Sequence, residues 1–69
     1  MAYFNYHAKI KKLIESGEFE SFKIVDEYHG IKPAMIIFFK HNPPMPVREH
    51  RFDEYLKIFE NLSKNGLKN

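Results

Sequence analysis

Cysteine is absent from the 69-residue sequence, so a disulfide framework, a cysteine-held zinc and a thiol nucleophile are all excluded. Long apolar runs are missing too. The longest, Ala34 to Phe39, has six residues, against the ~18–20 of a membrane-spanning helix. The three glycines, Gly17, Gly30 and Gly66, stand apart, which leaves no glycine-rich phosphate loop. Ser16, Ser21 and Ser63 have no triad context. The opening MAYFNYHAKIKK puts its lysines after its apolar residues, the reverse of a secretory signal peptide. Together these absences point to a cytoplasmic chain, off the membrane, held by packing alone.

What is present is globular in composition: 43% hydrophobic and 29% charged residues, with seven Phe and four Tyr. Residues 1–69 read as a single α+β domain. Below ~70–80 residues a lone core rarely supplies more than ~3–5 kcal/mol, and such domains are usually reinforced by disulfides, metals or oligomerisation. Dense aromatic packing and self-association are the devices open to this chain, and a homodimer is expected.

Hydrophobic spacing predicts the order helix, strand, strand, short strand, helix. Tyr3, Tyr6, His7, Ile10, Leu13 and Ile14 share one face of a helix over 3–16, with Gly17 placed as its left-handed cap. A period of two predicts strands over 20–28 and 31–40, joined by a turn at His29-Gly30. The second strand is apolar on both sides, so it is expected to be central or covered twice. Three prolines in HNPPMPVREH exclude a helix over 41–50; the segment reads as a connection, with Val47 to His50 as a short edge strand. Phe52, Tyr55, Leu56, Phe59 and Leu62 then mark a helix over 51–65, capped by Gly66. The predicted core is Ile10, Leu13, Ile14, Ile24, Ile37, Phe39, Leu56 and Phe59. Ile36 and Phe38, on the far side of the second strand, are the expected self-association contacts.

Charge is unevenly spread. Residues 18–30 carry Glu18, Glu20, Asp26 and Glu27 against Lys23, whereas residues 31–52 carry Lys32, Lys40, Arg48 and Arg51 against Glu49. Prolines hold the second stretch at low entropic cost, and arginine offers planar paired donors for carboxylate or phosphate. Lys40, His41, Arg48, His50 and Arg51 are therefore the candidate binding residues. The competing expectation is that Arg48 and Arg51 pair internally with Glu18, Glu20 or Glu27. Adjacent residues of an extended chain point to opposite faces, so Glu49 and His50 do not converge as an acid–base pair. The histidine spacings place no two ligands one helical turn apart, and neither a metal nor a cofactor is expected. His7, on the apolar stripe, reads as a hydrogen-bonded residue at the core edge.

The helix–sheet–helix order is similar in outline to the double-stranded RNA-binding fold, which also begins and ends with a helix. That family carries a lysine cluster at the start of its last helix, where this chain has Asp53 and Glu54. The net charge of +2 gives little counterion-release drive towards nucleic acid. The readings therefore rank as follows: a non-enzymatic module acting through protein–protein contacts, then a nucleic-acid binder using 40–51, then a small enzyme with its site at a dimer interface.

Overall fold

Asn5 starts the first helix by accepting the Ala8 amide on its side-chain oxygen (3.0 Å), which satisfies a donor the helix cannot. Helix α1 runs Tyr6–Glu15 and ends at Gly17, whose φ of +87° is the left-handed conformation that glycine takes without strain. The computed structural model describes the backbone of residues 5–66 and the side chains of residues 5–63. The first residues of the helix predicted over 3–16, Tyr3 among them, lie outside the described residues.

Strand β1 (Phe19–Val25) pairs antiparallel with β2 (Ala34–Phe39), which pairs antiparallel with β3 (Met45–Arg48), giving the sheet order β1-β2-β3. The strand that is apolar on both sides is the central one. Both strands of the hairpin are shorter than the expected 20–28 and 31–40. The tip forms a separate two-residue turn, in which Tyr28 and Ile31 exchange both backbone bonds at 3.0 Å. His29 (φ 50°) and Gly30 (φ 83°) are its central residues, and the Glu27 carboxylate accepts the Gly30 amide at 2.8 Å. Pro33, in a cis peptide, stands just before β2, where no ladder bond is demanded of it.

The third strand lies two residues earlier than the expected 47–50. Pro46 sits inside β3 because that strand is an edge, and its carbonyl turns outward to accept the Tyr6 hydroxyl at 2.7 Å. Glu49–Arg51 tighten into one turn of 3₁₀ helix, and α2 (Phe52–Gly66) follows directly. Gly66 is thus the last helical residue, where the sequence suggested a cap after the helix.

Met35, Ile37 and Phe39 of β2, with Val47 of β3, face Ile10 and Ile14 of α1 and Tyr55 and Phe59 of α2. Both helices therefore lie on one side of the sheet. Phe59 stacks on Phe19 (4.5 Å between ring centres) and on Phe22 (4.7 Å). Helix α2 starts beside the Arg48 end of β3 and reaches the Phe19 end of β1, crossing the sheet diagonally. That path leaves the far corner of β1 uncovered. Ile24, expected in the core, is 50% exposed for this reason, although it shares the helix-side face with its partner Met35. Leu13 and Leu56 are half-buried and pack against the core; the other five expected members are buried.

Candidate binding cleft

The five candidate residues divide between the two ends of β3. At one end, Glu18 grips the start of the proline segment. Its carboxylate accepts the His41 amide (2.9 Å), His41 Nδ1 (3.0 Å) and Asn42 Nδ2 (3.1 Å), while its carbonyl accepts the Lys40 amide (2.8 Å). These bonds hold the Glu18 carboxyl below the usual carboxylate range, with the His41 side chain as the largest cause. His41 is thus engaged as part of a loop anchor.

At the other end, Arg48 and His50 stand exposed on a cleft of about 230 Å³, lined also by Tyr6, His7, Ile31, Pro46 and Val47. Arg51 lies one residue further on and bonds through one nitrogen to Glu54 at 3.2 Å. Lys11 of α1 binds the same carboxylate. Arg51 therefore does pair internally, but with Glu54 of the next turn in place of Glu18, Glu20 or Glu27. Arg48 has no acidic partner among the described residues. His41 and His50, which bracket the proline segment in sequence, are held apart by the length of β3.

The back of the cleft is built from the rings of Tyr6, His7 and Tyr55. Tyr6 is tied to Pro46, and its ring meets that of His7 edge-on at 5.4 Å. His7 Nδ1 lies 2.8 Å from the hydroxyl of Tyr55. Tyr55 is fully buried, and burial pushes its phenol up to about 12, so it keeps its proton at neutral pH. With that proton donated to Nδ1, the hydrogen of a neutral His7 ring rests on Nε2. His7 itself is pushed below its ordinary value, first by burial and then by the charges of Arg51, Lys11 and His50, with Glu54 opposing them. The ring is therefore a neutral donor among cations.

Chemically, this end of the molecule offers guanidinium and imidazole donors over an apolar floor of Ile31, Pro46 and Val47. Such a surface suits an anionic group attached to an apolar or aromatic body. Among the described residues, no group of three histidine or carboxylate side chains converges as a metal-ligand set. Tyr6, His7 and Lys11 were not singled out as site residues by the sequence. Tyr6 and His7 sit on the apolar stripe of α1, where periodicity marks them as core, and only the docking of α1 against β3 brings them to Arg48. Among the described residues no helix is long and apolar enough to cross a membrane. Comparison with protein-family models, with curated proteins and with solved structures finds no match.

Proposed function

We propose that this chain is a non-enzymatic binding module that takes a short acidic segment of a partner protein in the cleft between α1 and β3. The observation that carries the reading is the freedom of Arg48. Glu54 is occupied by Lys11 and Arg51, and Glu18 by His41, whereas exposed Arg48 lines the cleft without an acidic partner among the described residues. The size of the cleft favours one or two carboxylates over a long polyanion. Nucleic acid asks for a continuous basic track, and the candidate cations here are divided between the two ends of β3. Glu18, Glu20, Asp26 and Glu27 lie in the β1 region and would repel an extended phosphate backbone. A cysteine-free composition agrees with a reducing, cytoplasmic setting.

Fluorescence anisotropy with a labelled hexaglutamate peptide tests this, with hexalysine, single-stranded RNA and duplex RNA as comparisons. The expected result is binding of the acidic peptide alone, weakened about tenfold by Arg48→Ala, which corresponds to ~1.4 kcal/mol. The same variant should melt at the wild-type temperature, because Arg48 supports no ion pair among the described residues. Peptide binding unchanged in Arg48→Ala overturns the site. Tighter binding of either RNA, falling steeply with salt, replaces the reading with nucleic-acid recognition.

A further inference from the structure

We infer that His7 reads the partner's carboxylate together with Arg48, donating from its Nε2, and that Tyr55 is the positioning residue that keeps the ring in that role. This rests on the acidic-segment reading of the cleft and deepens it by naming what selects the acid. His7 belongs to α1 and Arg48 to β3, and both line the same cleft of about 230 Å³. That volume falls below the ~300 Å³ at which small-molecule sites begin. One side chain of a partner fills it, so groups from the two elements meet a single occupant.

The two nitrogens of His7 meet different surroundings. Nδ1 lies 2.8 Å from the hydroxyl of Tyr55, 48 positions along the chain. Tyr55 is fully buried, behind the residues that line the cleft. A phenol hydrogen taken out of water needs an acceptor, and among the described residues Nδ1 is the acceptor it has. That bond uses the one free lone pair of the neutral ring, so the ring hydrogen is on Nε2. Among the described residues no protein group accepts that hydrogen. Two ring contacts fix the plane of the imidazole: Tyr6 meets it edge-on at 5.4 Å, and Tyr55 lies tilted at 5.9 Å. A half-buried N–H held in place and left open is a donor prepared for a ligand.

Prepared in this way, His7 and Arg48 present hydrogens only. A guanidinium has no acceptor, and the acceptor nitrogen of His7 is taken. A carboxylate brings two oxygens and no hydrogen, one oxygen for each group. A carboxamide of the same shape brings an NH2 that opposes one of them, and a donor left facing a donor loses its bond. The cleft therefore selects aspartate or glutamate over asparagine or glutamine by hydrogen-bond pattern as well as by charge. Burial, ahead of the neighbouring cations, holds His7 below its ordinary pKa, so the ring stays an uncharged donor at neutral pH.

Imidazole proton–nitrogen correlation spectra and fluorescence anisotropy on the full chain test this. At neutral pH the free protein should show His7 protonated on Nε2 and bare on Nδ1, and saturating hexaglutamate should move the Nε2 signal. Tyr55→Phe should weaken hexaglutamate binding about threefold by loosening the ring, with the circular dichroism spectrum unchanged. His7→Phe alone strands the Tyr55 hydroxyl in the core. The donor is therefore removed by combining His7→Phe with Tyr55→Phe, which replaces both partners by apolar rings. The combined variant should fold as wild type does and bind hexaglutamate about tenfold more weakly. Hexaglutamine should not displace hexaglutamate from the wild-type chain. Binding that Arg48→Ala weakens and the combined variant leaves unchanged overturns the role of His7 while the cleft reading stands. So does a ring protonated on Nδ1, an Nε2 signal unmoved by the peptide, or displacement by hexaglutamine. Full binding by Tyr55→Phe overturns the positioning role. Binding untouched by Arg48→Ala overturns the cleft reading and the part given to His7 with it.

Discussion

Strands β1 and β2 lie side by side in the sheet, and both are rich in apolar residues. Yet β2 is buried almost end to end, while five consecutive residues of β1 are exposed. The difference is one of position. Central β2 is flanked by a strand on each side and lies under both helices, whereas edge β1 is reached only where α2 finishes its diagonal, at Phe19 and Phe22. An apolar side chain is stabilising to the extent that something covers it, and in a three-stranded sheet with two helices the cover runs out at a corner.

The sharpest challenge to that contrast is Phe59→Ala, which removes the ring on which β1 rests. Its expected cost is about 3–5 kcal/mol, enough to unfold a domain of this size. A variant that keeps its native circular dichroism and melts cooperatively would show that the stack is not central. Next comes a pair on the same sheet face, Ile37→Ala and Ile24→Ala. Chemical denaturation at a concentration that keeps the chain monomeric should give about 2–5 kcal/mol for the first and about 1 kcal/mol or less for the second. Equal costs would mean that β1 is covered in solution.

Polar groups should follow the same gradient of cover. His7 is half-buried and its folded pKa lies below the ordinary 6.5, so its protonation favours the unfolded chain. Its contribution is fully present above pH ~6.5 and is lost as pH falls from there through the folded value. His7→Gln should flatten the pH dependence of stability in that window, and an unaltered slope would place its origin elsewhere. The smallest effect is expected at Glu18, at the rim of the sheet. Its lowered pKa makes its contribution present above the ordinary 4.5 and lost as pH falls through the folded value. Glu18→Gln should therefore lower the melting temperature slightly at pH 7 and converge with wild type in acid, leaving peptide binding at the other end of β3 unchanged.

Element types and order were legible in the sequence because each rests on local periodicity: the stripe of α1, the doubly apolar β2, the aromatic stripe of α2. The left-handed Gly17 and the His29-Gly30 turn were legible for the same reason, since their signals span only a few residues. Ile24 was misplaced because alternation reports which face a side chain takes and says nothing of what lies above it. The basic segment was read as one surface because its residues are close in sequence. Its division by β3, and the partnership of Tyr6 and His7 with Arg48 and His50, depend on contacts between distant positions, such as the 40 that separate Tyr6 from Pro46.

The ten residues of α1 are fewer than the ~12–15 an isolated helix needs to persist in water. The helix exists because its apolar face and its ring pairs are docked, and the cleft exists because the helix does. Occupancy and folding are then thermodynamically linked, so a ligand seated against Tyr6 and His7 also draws α1 into its native state. At a hundred times its dissociation constant, such a ligand adds ~2.7 kcal/mol to the stability of the whole domain, and the melting temperature becomes a gauge of what the cleft holds.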